Sequence, residues 1–162
     1  SLTDYAYLMA QSVEEELGIK VKIGVGGTSG SFSDSAVSYK QATIAVRMSG
    51  MFEIKTLVAT YKDYVFIKML EDLPKYKLEE FLNVLSEPET KSVFADPEML
   101  ETASEFLKAN LNVSEASRNL YMHRNTLMYR LDKIEKSTGL DIRKFQDAMT
   151  FRLMTILYKL LG

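Results

Sequence analysis

Between Glu98 and Leu161 the chain has no proline and one internal glycine, Gly139, and its apolar residues return every three to four positions. Proline and glycine are the residues that most strongly interrupt a helix, so this stretch has to fold as helices whose ends are set by capping and turn residues. The spacing predicts four: about Glu98 to Ala109, Val113 to Leu120, Arg124 to Thr138 and Arg143 to Leu161. Ahead of it the punctuation changes. All three prolines, Pro74, Pro88 and Pro97, bracket a short amphipathic stretch over Leu78 to Leu85, and six of the eight glycines lie at or before Gly50. The chain therefore divides into an α+β segment over 1–73, a proline-bracketed linker with a short helix over 74–97, and an all-α domain over 98–162.

Within the first segment, apolar residues at Leu2, Tyr5, Ala6, Met9, Ala10, Val13 and Leu17 form a helical stripe that Gly18 ends. Ile19, Val21, Ile23 and Val25 then alternate with Lys20, Lys22 and Gly24, the period of a half-buried strand. The breaker cluster from Gly26 to Ser31 precedes a helix capped by Ser31 or Ser33 that runs to about Met48 and stops at Ser49-Gly50. Lys55 to Thr60 and Tyr64 to Ile67 read as two short strands separated by Tyr61-Lys62-Asp63.

Composition removes most chemistry. With 46% hydrophobic and 26% charged residues in 162, the chain can bury a core without staples, and it has no apolar run or leader of the kind that marks a spanning helix or a signal peptide. The expected location is the cytoplasm, with no membrane partner. No cysteine is present, so disulfides, thiol nucleophiles and Cys-ligated zinc are out, and the single histidine, His123, has no partner for a metal site. No cofactor, metal or catalytic residue is expected. Gly24 to Gly30 could cradle a phosphate, but the lysine of a phosphate loop is missing and the glycine spacing departs from the dinucleotide fingerprint, so a plain turn is the simpler reading.

Charge is divided unevenly. Residues up to Asp96 hold 10 Lys+Arg against 14 Asp+Glu, whereas Asn110 to Lys144 hold 7 against 4, a local balance of +3. That basic window contains a short helix, a turn of about four residues and a longer helix. In the longer helix Leu127, Leu131, Ile134 and Thr138 fall within about 60° of arc, and Asn125, Tyr129, Lys133 and Lys136 fall opposite. A helix-turn-helix places the N-terminal end of its second helix in the major groove. Arg124 can donate two bonds to guanine and Asn125 can pair with adenine, while Thr126, Tyr129, Arg130, Lys133 and Arg118 suit phosphate. His123 is placed either to cap this helix or to contact a base. The alternative is a protein-interaction module in which the bundle binds another protein and the polar face is merely solvated.

The run His123-Arg124-Asn125-Thr126-Leu127, followed by Tyr129-Arg130-Leu131, Ile134-Glu135 and Thr138-Gly139-Leu140, resembles the C-terminal helix-turn-helix of the PucR/CdaR group of bacterial transcriptional regulators, and more distantly the Fis-type domain. The resemblance implies a sequence-specific regulator of a catabolic or metabolic operon that binds double-stranded DNA and is not an enzyme. It also makes 1–73 similar to the latter part of a degenerate GGDEF-like, ferredoxin-like domain, with Ile23 to Gly27 as strand and glycine turn. Any small-molecule effector would then be sensed by a domain upstream of Ser1. Two positions depart from the pattern: Tyr121 stands where many such turns have glycine, and Met128 where a basic residue is common in relatives. One recognition helix buries too little surface for a tight specific complex, so a homodimer is expected. Candidate surfaces are the final helix around Leu153, Leu157 and Leu160 and a sheet edge near Tyr64 to Ile67.

Overall fold

The computed structural model describes residues 1–27 and 34–162. These fall into two compact units, Ser1–Asp72 and Leu73–Gly162. The fold is mostly helical, with one small sheet.

In the first unit, α1 (Leu2–Leu17) ends on Gly18, whose φ of 65° is the left-handed conformation that glycine adopts without cost. Its inward face is narrower than its apolar pattern suggests. Ala6 and Ala10 are buried, while Leu2, Tyr5, Met9 and Leu17 remain exposed. β1 (Ile23–Val25) pairs in parallel with β2 (Val58–Thr60), Ile23 opposite Val58 and Val25 opposite Thr60. Parallel strands need a long crossover, and α2 (Ser35–Met51) supplies it. Two glycines let α2 lie against the chain entering it: a Cβ on Gly24 would sit 2.3 Å from the Ala42 carbonyl oxygen, and one on Gly26 2.1 Å from that of Ser38. Close helix packing thus accounts for both glycines; Thr28 to Gly30 of the same turn lie outside the described residues. The proposed caps Ser31 and Ser33 lie outside the described residues.

α2 does not stop at Gly50. It continues to Met51 and closes with the Ile54 N–H donating to the Ser49 carbonyl at 2.9 Å and the Glu53 N–H to that of Gly50 at 3.1 Å, with Glu53 at φ 54°. This is the Schellman arrangement. The strand expected over Tyr64 to Ile67 is instead part of α3 (Tyr61–Glu71). Tyr64 and Ile67 are three apart and both buried, which a helix permits, whereas a strand would turn them to opposite faces. Arg47 on α2 clamps Glu71 on α3 through two bonds of 2.7 and 2.8 Å. The guanidinium holds the Glu71 carboxyl below its ordinary range despite an opposing push from burial.

The second unit runs α4 (Lys75–Leu85), α5 (Thr90–Phe94), α6 (Pro97–Lys108), α7 (Val113–Asn119), α8 (Arg124–Thr138) and α9 (Phe145–Leu161). Residues 74–97 are mostly helical, with α4 against α9 and α5 against α6 and α8. Pro97 occupies the first turn of α6, where its missing N–H costs nothing, and the Asp96 carboxylate accepts from the N–H groups of Glu98 and Met99. The core gathers Val93, Phe106, Leu127, Leu131, Ile134 and Phe151, all nearly or fully buried. Phe94 stacks on Phe151 at 5.0 Å and on Tyr158 at 4.3 Å. In α9, Met154, Ile156 and Leu157 are buried. Leu157 thus belongs to the core while Leu153 and Leu160 are half-buried, and the sheet edge at Tyr64 to Ile67 does not exist, so that second candidate dimer surface falls. Among the described residues, no helix is long and apolar enough to cross a membrane.

Candidate nucleic-acid interface

Local sequence sets both ends of α7. Asn112 caps it, its side-chain oxygen accepting from the Glu115 N–H at 3.0 Å. Ala116, without side-chain bulk, is wholly buried in the core of the unit, and α7 packs on both α6 and α8. Asn119 donates to Glu105 at 2.8 Å and so fastens α7 to α6.

The turn into α8 repeats the Schellman geometry seen at Glu53. The Met122 N–H donates to the Ser117 carbonyl at 3.0 Å and the Tyr121 N–H to that of Arg118 at 3.1 Å. Tyr121 takes φ 51°, and its side chain is 97% exposed. The left-handed residue is therefore held by backbone hydrogen bonds and not by packing of its ring. Asn110, at the end of α6, plays the same part at φ 52°.

α8 begins at His123, whose Nδ1 accepts from the Asn125 N–H at 3.2 Å. A ring nitrogen that accepts a bond carries no proton there, so in this cap the ring hydrogen sits on Nε2. From this start the helix presents one buried face, Leu127, Leu131, Ile134 and Thr138, and one exposed face. At 100° per residue the exposed stripe runs Asn125, Tyr129, Asp132 and Lys136, with Lys133 at its edge. Arg124 and Thr126 are exposed in the first turn on either side of Asn125, and Arg118 is exposed on α7.

Two residues assigned to phosphate from the sequence have partners inside the unit. Arg130 donates to Glu98 and to Thr102, each at 2.9 Å, and Lys133 lies 3.8 Å from the Asp96 carboxylate. Both lean toward α6. Met128, half-buried, packs against the core. Lys136 shares the exposed stripe with Asn125 and Tyr129 and has no ion pair among the described residues. The helical spacing already placed it there, and it is the residue that the sequence assignment omitted. Arg143 was also missed. It lies before α9 and donates to Asp132, Glu135 and Asp141 at 2.6, 2.6 and 2.5 Å. Asp141 first and then Asp132 push its pKa above the ordinary arginine value, against burial. No cluster of three or more potential metal ligands occurs among the described residues.

Such a surface can offer amide, guanidinium, hydroxyl and ammonium donors along a ridge about the width of one helix, with no nucleophile paired to a base. Residues 99–157, from the first turn of α6 to near the end of α9, match the PucR C-terminal helix-turn-helix domain. The chain is 25% identical over 142 residues to the purine catabolism regulatory protein of Bacillus subtilis, a match covering 88% of this chain and 27% of that protein. It is 27% identical to the DNA-binding transcriptional activator AdeR of the same organism, covering 94% of this chain and 37% of the relative. Over 48 residues, 30% of this chain and 12% of the relative, it is 40% identical to the carbohydrate diacid regulator of Escherichia coli. The chain thus spans roughly a quarter to a third of the length of the first two relatives.

Proposed function

From a C-terminal region that is a helix-turn-helix domain of the PucR/CdaR type, we propose that this chain is the DNA-binding part of a sequence-specific transcriptional regulator of a bacterial catabolic or metabolic operon. The observation that carries the reading is the two-sidedness of α8: a buried face of Leu127, Leu131 and Ile134 closed by Thr138, and an exposed stripe of Asn125, Tyr129, Asp132 and Lys136 led by Arg124 in the first turn. Arg124 and Asn125 read bases, since each can make a pair of bonds whose geometry selects one base. Thr126, Tyr129, Arg118 and Lys136 position the helix on phosphates, and His123 holds its first turn in shape.

The test is selection of bound sequences from random duplex DNA at fixed salt, followed by Arg124→Ala on the selected site. The substitution costs about 1 to 3 kcal/mol there and relaxes the preference at one base. Unchanged affinity with an intact fold would remove Arg124 from the interface, and capture of a protein partner with no DNA affinity would favour an interaction module.

For the first unit we infer a degenerate, partial GGDEF-like role in transmission or dimerisation, supported by its β1–α2–β2 crossover. On this reading 1–73 is that segment, 74–97 connects it, and 98–162 binds DNA. The working form is a homodimer on an inverted repeat in the cytoplasm, and any effector is sensed upstream of this chain. Turnover of GTP or ATP, abolished by replacing Gly26 or Gly27, would overturn the non-enzymatic part of the reading.

A further inference from the structure

α8 is a poorer phosphate ligand than its composition suggests. Of its four cations, Arg130 bonds to Glu98 and Lys133 lies 3.8 Å from Asp96, while Arg124 and Lys136 have no ion pair among the described residues. Two acids, Asp132 and Glu135, sit on the same helix. Asp132 is the awkward one. Seven residues beyond Asn125, it falls about 20° from it around the helix and roughly 10 Å further along, on the exposed stripe itself. Left unpaired, the two carboxylates would cancel the two remaining cations and set a negative charge beside the DNA backbone.

Arg143 meets both. It stands in the connection between α8 and α9, beyond the left-handed Gly139 that ends α8. Its Nη1 donates to Asp132 and its Nη2 to Glu135, each at 2.6 Å, while Nε donates to Asp141 at 2.5 Å. Asp141 also accepts from the Arg143 backbone N–H at 3.2 Å and lies 3.4 Å from Lys144. Burial pushes the Asp141 carboxyl up, yet these bonds outweigh it and hold it below the ordinary range. The rigid guanidinium fork is thus anchored at one end and presents its other two donors to α8.

We propose that Arg143 is a positioning residue of the nucleic-acid interface: it engages Asp132 and Glu135 and so offsets part of the negative charge that they would otherwise set beside phosphate on the recognition helix. The inference rests on the DNA-binding reading. Arg143 acts through the carboxylates it holds, and its own contact with DNA is not required.

The experiment compares three forms of the full chain by fluorescence anisotropy, each with a selected duplex and an unrelated one: the parent, Arg143→Gln, and Arg143→Gln combined with Asp132→Asn and Glu135→Gln. If the parent binds neither duplex at any salt, the DNA-binding reading fails before Arg143 is tested. With a parent that binds, Arg143→Gln loses about tenfold on both duplexes at about 0.05 M salt, and the loss narrows as salt screens the freed charges. The triple variant returns to within about twofold of the parent. A single variant that binds like the parent overturns the proposal. So does a triple variant as weak as the single, which would mean that Arg143 touches DNA itself or only supports the fold. Should circular dichroism show the single variant unfolded, the folded triple variant carries the test, and parental affinity in it is the required result.

Discussion

The Arg130 guanidinium reaches from the middle of α8 to the first turn of α6, its Nη2 2.9 Å from the Glu98 carboxylate, while Nη1 donates to the buried Thr102 hydroxyl at the same distance. A side chain so engaged braces two helices. Glu98 is largely exposed, so the ion pair itself counts for little, and the bond to buried Thr102 is the larger part. Arg130→Ala lowers unfolding free energy by about 1 kcal/mol in urea denaturation and leaves the salt slope of DNA binding as it was. An unchanged midpoint together with a shallower slope would return Arg130 to the phosphate contacts.

Lys133 and Lys136 are three residues apart and differ in their surroundings. Lys136→Ala weakens selected and unrelated duplexes alike and shallows the slope of log affinity against log salt by about one unit. Lys133→Ala, whose ammonium lies near Asp96, changes the slope by less than half as much. Equal slopes for the two variants would show that Asp96 does not restrain Lys133.

Tyr121 carries the backbone cost of a left-handed residue with a ring that packs on nothing in its unit. Tyr121→Gly removes that cost and raises stability by about 1 kcal/mol, partly offset by the greater freedom of glycine in the unfolded chain. Thermal or urea unfolding reads the change directly. A destabilised Tyr121→Gly would mean that the aromatic ring supports the turn after all.

A homodimer on two half-sites puts its recognition helices in major grooves about 34 Å apart. Inserting five base pairs between the half-sites turns one of them to the far side of the duplex, and affinity falls sharply. Sedimentation of a monomer on the intact site, or no loss on insertion, would leave the single domain as the binding unit.

Glu71, held below its ordinary value of 4.5 by Arg47, gives the first unit a contribution that depends on pH. A carboxylate with a depressed folded pKa stabilises above its unfolded value and loses that contribution as pH falls through the folded one. The first unit therefore weakens in acid below about 4.5, and Glu71→Gln flattens that part of the profile while lowering stability at neutral pH. An unaltered acid limb in Glu71→Gln would assign the acid sensitivity to other carboxylates.

Local signals made the second unit legible. The Arg124 to Thr138 helix was bounded at both ends from sequence, because His123 and Gly139 are chemically suited to be caps and the apolar period between them is unbroken. The residues expected to face DNA were harder to sort, since helical spacing tells which side of α8 is exposed but not what stands beside it. Arg130 and Lys133 have the composition of phosphate ligands, and only the fold shows that Glu98 and Asp96 at the start of α6 stand 2.9 and 3.8 Å from them. Arg143 gave no local sign, because its partners Asp132 and Glu135 lie 11 and 8 residues earlier on another element.

The first unit shows the opposite balance. Gly50 looked like the end of α2, yet the helix runs past it and closes on Glu53, a residue with no intrinsic taste for that conformation. Tyr64 to Ile67 has the β-branched and aromatic composition of a strand, and burial of Tyr64 and Ile67 on one side makes it helical. By itself the sequence determined what depends on a few neighbouring residues: helix caps, the uninterrupted helical run after Glu98, and the two faces of α8. The tertiary structure decided what depends on partners distant in the chain: the parallel pairing of Ile23 with Val58, the approach of α2 that only Gly24 and Gly26 allow, and which charges of α8 remain free. Short-range preferences amount to tenths of a kcal/mol per residue, and burial or an ion pair reached across the fold can outweigh them.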